Sequence, residues 1–105
     1  MPTGNDRARV SLVELDRFCR EVLLACGADA ATADAATRAM MHGTRHGVDS
    51  HGVRLLDHYV TALEGGRLAK VPKLKPVGGF GAVETLDADH AHGALATYTA
   101  MDRAI

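Results

Sequence analysis

The chain has 105 residues, of which 47% are hydrophobic and 24% charged, and its net charge at pH 7 is −1. This composition is typical of a globular domain, and the near-neutral charge disfavours a general nucleic-acid or membrane-surface role. No apolar run approaches the roughly 20 residues of a membrane-spanning helix. Residues 1–10 are predicted to form a disordered tail without a signal peptide. We therefore expect a cytoplasmic protein with no nucleic-acid or membrane partner.

A first helix is predicted from Leu12 to Cys26. Ser11 and Glu14 form a capping-box pattern at its start, and Gly27 is placed to end it. Cys19 and Cys26 lie seven positions apart on this helix, so their Cα atoms would be about 10 Å apart. That separation is too long for a disulfide, and we expect two free thiols in a reducing compartment.

A second helix is predicted from Ala30 to Met41, with Asp29 or Thr32 as its cap. The segment is rich in alanine, the residue with the best helix propensity, and its small side chains suggest close packing against a neighbouring helix. The helical pattern dissolves at Gly43.

The segment Gly47–Arg54 carries a serine and a histidine between glycines, directly before a third predicted helix, Ser50–Glu64. Ser50 is expected to be the N-cap of that helix, which would place His51 in its first turn. The free N–H groups of a helix start attract anions. Two interpretations follow, a capped helix with an exposed histidine or a small polar site on a rigid support.

The segment from Arg67 to Pro76 holds all three lysines of the chain and no acid. We interpret it as a solvated loop in preference to an anion-attracting arm. Gly78–Gly81 lacks the spacing of a nucleotide-binding loop and is expected to be a flexible turn. A short strand is predicted over 83–86, followed by a turn over 87–90.

A fourth helix is predicted from Gly93 to Ile105, and its lack of a stop signal favours a truncated chain. The predicted fold class is therefore mainly α with a short β element. A metal site is disfavoured because no third ligand is fixed by the spacing of the histidine pairs, which are 42/46, 51/58 and 90/92. A serine hydrolase is also disfavoured because adjacent residues rarely give the geometry of a nucleophile and its base.

An ordered series of residues resembles the type 2 malate/L-lactate dehydrogenase family, which includes ureidoglycolate, sulfolactate, 2,3-diketogulonate and cyclic-imine reductases. The series comprises Asp49-Ser50-His51-Gly52-Val53, Leu56, Tyr59, Gly66-Arg67-Leu68, Leu86-Asp87-Ala88-Asp89 and Gly93. The resemblance implies that residues 11–105 are the N-terminal helical part of a non-Rossmann α/β fold, with the start of the α/β domain. Family proteins are much longer, so a truncated, split or remnant chain is expected.

The resemblance also implies an NAD(P)-dependent oxidoreductase that acts on a small 2-hydroxy or 2-keto acid. Ser50 and His51 would be catalytic, and Arg54, one turn after His51, would bind the substrate carboxylate. The family commonly has an arginine four residues after this histidine, where this chain has Leu55. Residues that bind NAD or NADP would lie mostly outside the chain, and a homo-oligomer is expected.

On its own, the chain is expected to be inactive. The alternative is a non-catalytic helical interaction module that docks on a full-length relative. A weaker third hypothesis is a small metal-binding protein that uses the histidines.

Overall fold

The structure is a computed structural model that describes residues 9–105. Its elements are α1 (Leu12–Ala25), α2 (Ala30–Arg45), the 3₁₀ turns Asp49–His51 and Val53–Leu55, α3 (Leu56–Glu64), β1 (Lys75–Phe80), β2 (Val83–Asp87) and α4 (Gly93–Ala104). The predicted fold class, mainly α with a short β element, is confirmed. Most of the predicted tail, residues 1–8, lies outside the described residues.

Helix α1 begins at Leu12, as predicted, and ends at Ala25, one residue before the predicted end. The Ser11 hydroxyl accepts a hydrogen bond from the Glu14 N–H at 3.1 Å. Gly27 follows the helix with φ 95°, a left-handed conformation that glycine adopts without strain. Cys19 and Cys26 are free thiols, as expected. Burial, with a smaller effect of Asp16, raises the pKa of the Cys19 thiol, which keeps this thiol protonated and unreactive.

Helix α2 is longer than predicted. The Asp29 carboxylate accepts a hydrogen bond from the Thr32 N–H at 2.9 Å, which confirms Asp29 as the cap. The helix continues past Met41 and through Gly43 to Arg45. Glycine propensity alone predicts an earlier end, but packing against the following loop keeps this last turn helical.

The core lies between α1, α2 and α3. Its largest fully buried side chains are Leu23, Met40, Met41, Leu63, Thr32, Thr37 and Cys19. Alanines on the buried face of α2 let α1 approach closely, and the two methionines fill the remaining space, as their sequence pattern indicated.

The third helix starts later than predicted. Ser50 lies inside a 3₁₀ turn, and Leu55, which makes no capping hydrogen bond through its side chain, occupies the N-cap position of α3. The predicted N-cap role of Ser50 is therefore wrong. Gly52 has extended backbone angles (φ −101°, ψ −154°), so it interrupts the helical path between the two 3₁₀ turns.

Strands β1 and β2 form an antiparallel hairpin with an irregularity between Pro76 and Gly78. The predicted strand over 83–86 is confirmed, but the prediction of a flexible turn over 78–81 is wrong for its first three residues, which belong to β1. The actual turn is Gly81-Ala82, and Gly81 has φ 60°, as a tight hairpin requires.

The core makes a direct prediction for Leu63, whose side chain is 1% exposed. Leu63→Ala is expected to lower the free energy of unfolding by about 2–5 kcal/mol, because it removes buried methyl groups and leaves a cavity. Chemical denaturation followed by circular dichroism measures the change. Leu24→Ala, at a position that is 43% exposed, is the control and should lose less. Equal losses would contradict the assigned core.

Candidate functional site

Ser50 and His51 form a hydrogen-bonded pair on the first 3₁₀ turn. The Ser50 Oγ atom lies 2.9 Å from Nδ1 of His51, and both residues are exposed. This bond orients the imidazole through Nδ1. Within residues 9–105, Nε2 of His51 has no hydrogen-bond partner and is therefore available to an external group.

The loop that carries this pair is clamped against the last turn of α2. A Cβ atom on Gly43 would lie only 2.4 Å from the His51 carbonyl oxygen, and one on Gly52 only 2.5 Å from Oγ1 of Thr44. Thr44 Oγ1 also accepts a hydrogen bond from the Val53 N–H at 3.0 Å. The two glycines thus permit a close approach that the threonine hydroxyl then fixes.

Arg54 does not join the pair within the described residues. It is exposed, and among residues 9–105 it forms no ion pair and no hydrogen bond to Ser50 or His51. The next residue, Leu55, packs against the hydrophobic core. Because Leu55 faces inward, the neighbouring Arg54 lies on the solvent side of the turn.

A cleft of about 650 Å³ opens elsewhere, between α3 and the start of α4. This α3–α4 cleft is lined by Ala39, His58, Tyr59, Ala62, Arg67, Leu68, His92, Gly93, Ala94, Thr97 and Tyr98. None of the three sequence-predicted site residues lines it. Its walls carry one arginine and two histidines but no carboxylate, which favours a partly apolar, uncharged or anionic occupant.

His92 is the buried polar residue of this cleft, and its side chain is 5% exposed. Its Nδ1 atom accepts the Ala94 N–H at 3.0 Å, so it caps α4 and carries its proton on Nε2 when neutral. Its ring meets Tyr59 edge-on at 4.2 Å between centroids. Burial lowers the pKa of His92 below its ordinary value of 6.5, which keeps the ring neutral near pH 7.

Sequence reasoning missed the role of His92. The sequence analysis considered His92 only in a histidine pair with His90, and His90 lies in a turn with φ 57°. The available signal was the position of His92 directly before a helix that starts at Gly93. Its burial depends on Tyr59, 33 positions earlier.

Two motifs that commonly hold a metal ion or a dinucleotide are absent from the described residues. Residues 9–105 contain no group of three His, Cys, Asp or Glu side chains placed to hold a metal ion. The glycines at 78, 79 and 81 belong to a β-hairpin and not to a strand–loop–helix unit, so they do not form the glycine-rich fingerprint of a Rossmann dinucleotide site. Over the same residues, no helix is both long and apolar enough to cross a bilayer.

Comparison with known proteins identifies the family. Residues 10–105 match the family model described as malate/L-lactate dehydrogenase. The chain belongs to this family. The resemblance that the sequence motifs indicated is therefore confirmed, and the described elements are the N-terminal portion of the family fold.

Individual relatives show how much of the family protein is present. The chain is 34% identical over 97 residues to a 2,3-diketo-L-gulonate reductase of Escherichia coli (strain K12 / DH10B), which covers 92% of this chain but 29% of the relative. It is also similar in structure to a malate dehydrogenase from Pyrococcus horikoshii OT3, with a TM-score of 0.83 and 27% identity over 90% of this chain and 27% of the other. The chain therefore spans less than a third of either protein.

A third relative supports the fold alone. The delta1-piperideine-2-carboxylate reductase from Pseudomonas syringae pvar. tomato superposes with a TM-score of 0.82, at 21% identity. The superposition covers 93% of this chain and 30% of that protein. Such similarity at low identity shows that the helical arrangement is shared across divergent sequences.

The close contact between Gly43 and the His51 carbonyl, which we call the clamp, predicts that Gly43→Ala displaces the His51 loop. Alanine is the better helix former by about 1 kcal/mol, but its Cβ would collide with the His51 carbonyl. We expect large amide chemical-shift changes at residues 51–53 in ¹H–¹⁵N NMR spectra. Gly78→Ala, where a Cβ meets open space, is the matched control and should leave those amides unchanged. Unshifted amides in Gly43→Ala would refute the clamp.

The lowered pKa of His92 predicts that the free energy of unfolding depends on pH. Its pKa is lowered in the folded state, so the unfolded chain binds a proton first as the pH falls below about 6.5. The contribution of His92 is fully present above that pH and is lost progressively as the pH falls towards the folded-state pKa. We expect His92→Asn, which retains a capping oxygen for the Ala94 N–H, to flatten the pH profile of the unfolding free energy.

Denaturant titrations between pH 5 and 7.5 measure this profile. His90→Asn replaces an exposed histidine two residues away and serves as the control, which should keep the wild-type slope. If the unfolding free energy of His92→Asn varies with pH as steeply as that of the wild type, His92 is not the group that causes the pH dependence.

Proposed function

We propose that the chain is the N-terminal helical part of an NAD(P)-dependent oxidoreductase that acts on a small 2-hydroxy or 2-keto acid. The observation that carries this proposal is the hydrogen-bonded Ser50–His51 pair, exposed on a clamped loop in a chain of the malate/L-lactate dehydrogenase family. The substrates named for two of its relatives, a 2,3-diketo-L-gulonate reductase and a malate dehydrogenase, agree with this substrate class.

The chemistry assigned to the pair is proton exchange at the substrate oxygen. Reduction of a ketone requires a proton at the carbonyl oxygen, and oxidation of the alcohol requires its removal. Nε2 of His51 is the atom that would give or take this proton. Ser50 Oγ, 2.9 Å from Nδ1, can accept the Nδ1–H bond of the imidazolium and hold the ring in one orientation in both directions.

We propose Arg54 as the group that binds the substrate carboxylate, since guanidinium can form two parallel hydrogen bonds with it. Arg54 is exposed on the 3₁₀ turn that follows His51, and it is not held by an ion pair among residues 9–105. Leu55 cannot take this role because its apolar side chain packs against the core.

The remaining parts of the reaction are assigned to the rest of the family protein. Because the chain spans 29% of the E. coli relative, we assign most of the residues that bind NAD or NADP to the remaining part of the family protein. We propose that the 105-residue chain alone is inactive and that the active protein is a homo-oligomer. The two free thiols agree with a cytoplasmic location.

A second candidate function is a non-catalytic interaction module that docks on a full-length relative. It is favoured by exposed apolar side chains on the C-terminal part of the chain, such as Phe80 at 89% and Met101 at 57% exposure. Catalysis by a completed chain separates the two candidates, because a pure docking module would add no reactive group.

The test joins residues 1–105 to the remaining part of the E. coli 2,3-diketo-L-gulonate reductase. Oxidation of NADH and NADPH is followed with pyruvate, oxaloacetate, glyoxylate and 2,3-diketo-L-gulonate. We expect turnover with at least one acid, and a loss of kcat/KM of about 10²–10⁴-fold in His51→Ala because the proton donor is removed.

His42→Ala is the control for this experiment, since it removes an exposed histidine that lies outside the Ser50–His51 pair. Its kcat/KM should stay close to that of the parent. Absence of turnover in a well-folded chimaera with every acid and both cofactors would refute the proposed function. Unchanged kcat/KM in His51→Ala would refute the role of the imidazole.

A further inference from the structure

The α3–α4 cleft has the size of a small-molecule site. Its volume of about 650 Å³ falls within the roughly 300–1,000 Å³ that is typical of ligand pockets. Ser50, His51 and Arg54 do not line it. The proton exchange and carboxylate binding assigned to those three residues therefore leave this cleft unused.

His92 contributes a buried polar atom without a partner to this cleft. The residue lines the cleft and is 5% exposed. Its Nδ1 atom accepts the Ala94 N–H, so the neutral ring carries its hydrogen on Nε2, and within residues 9–105 this Nε2 atom has no hydrogen-bond partner. A buried donor without an acceptor costs free energy. An occupant that brings an acceptor oxygen would remove this cost.

The charged groups around the cleft attract an anion. Arg67 and His58 line it and are exposed, and the lining formed by the described residues contains no carboxylate. The Arg67 guanidinium forms no ion pair among residues 9–105, so it is free to fold over a bound anion. Gly93 and Ala94 add the start of α4, a helix of 12 residues whose N-terminal end carries a partial positive charge.

The single buried donor favours a carboxylate over a phosphate. A phosphate group brings more charge and more acceptor oxygens into the cleft, and its transfer out of water is costly unless most of those oxygens find donors. His92 offers one neutral N–H, and most of the remaining lining is apolar. A carboxylate has two oxygens, which the Nε2–H of His92 and the Arg67 guanidinium suffice to bind.

The rest of the ligand would meet aromatic and small apolar side chains. Tyr59 and Tyr98 both line the cleft, together with Leu68, Ala39 and Ala62. Aromatic rings attract one another in offset or edge-on arrangements, and the alanines leave room for a flat group beside the tyrosines. An aromatic ring is therefore the body that fits this lining.

Both tyrosine rings are held in place by neighbouring side chains. The Tyr59 ring meets the His92 ring edge-on, with 4.2 Å between centroids. The Arg38 guanidinium carbon lies 4.1 Å from the centroid of the Tyr98 ring. A ligand thus meets rings that are oriented before it binds, which lowers the entropic cost of binding.

We propose that the α3–α4 cleft binds a small aromatic monocarboxylate. Its ring packs against Tyr59 and Tyr98, and its carboxylate accepts the Nε2–H of His92 and pairs with Arg67. Binding at this site does not involve His51. The site therefore goes beyond the proposed oxidoreductase function and is tested separately from it.

Phenylacetate is the probe, and its binding to the 105-residue chain is followed by ¹H–¹⁵N NMR titration. We expect a Kd of about 1 mM, as for a small ligand with few contacts, with shifts of the amides at residues 58–68 and 92–98 and none at 51–53. Phenylacetamide lacks the charge and acetate lacks the ring, while pyruvate and inorganic phosphate represent a 2-keto acid and a phosphate ligand. Each of these four should bind at least about tenfold more weakly than phenylacetate.

Two substitutions remove the groups that bind the carboxylate. Arg67→Gln and His92→Asn should each raise the Kd for phenylacetate at least about tenfold, because each removes one hydrogen bond to a charged group. The asparagine keeps an oxygen for the Ala94 N–H. Arg45→Gln and His90→Asn are the matched controls at exposed positions that do not line the cleft, and they should bind like the wild type. Circular dichroism of each variant checks that the helices are retained.

The chimaera with the E. coli reductase shows whether the cleft is open in a family protein of full length. Equilibrium dialysis with radiolabelled phenylacetate should give the same Kd for the chimaera as for the 105-residue chain, and His51→Ala should leave it unchanged. A chimaera that binds phenylacetate but turns over none of the tested acids would refute the proposed function and leave the binding site standing.

Four results would overturn the proposed site. These are the absence of a saturable shift at the cleft amides, binding of any of the four comparison compounds as tight as that of phenylacetate, an unchanged Kd in Arg67→Gln or His92→Asn, and loss of binding in the chimaera. The last result would show that the remaining polypeptide covers the cleft.

Discussion

The contact between the Ser50–His51 loop and the last turn of α2 determines how the candidate site is presented. Gly43 and Gly52 lie at the points of closest contact, where a Cβ atom would come within 2.5 Å of the His51 carbonyl oxygen or of the Thr44 hydroxyl. The Thr44 hydroxyl also accepts a hydrogen bond from the Val53 N–H. Without this approach the loop would have no partner for that N–H. The shape of the loop therefore depends on the two glycines, which have no side chains, and on the Thr44 hydroxyl.

The clamp can position the loop only because α2 itself is fixed. Asp29 caps its start, and its alanine-rich face packs on α1, with Met40 and Met41 both fully buried. Close-packed interiors resist small displacements, so Gly43, near the end of this helix, keeps a fixed position against the loop. The exposed imidazole is thus held by a core that it does not itself enter.

Local signals predicted most of the helices and the β2 strand, since caps, glycine stops and helical spacing act within a few residues. The start of α3 was missed because Thr44, nine positions before Val53, satisfies an N–H that a capping serine would otherwise satisfy. The strand at Gly78 was missed because its pairing with Thr85 overrides the low strand propensity of glycine. Both misses arise from contacts that no local pattern contains.

The chain divides into a part with a core and a part without one, and the candidate catalytic pair lies on the former. Because α1–α3 bury their own side chains, the Ser50–His51 loop can be ordered before any partner binds. The hairpin and α4 bury almost nothing, and they lie where the relatives continue. A histidine can exchange a proton with a substrate oxygen, but the interconversion of a ketone and an alcohol also requires the transfer of a hydride, so the role proposed for His51 covers the proton step alone.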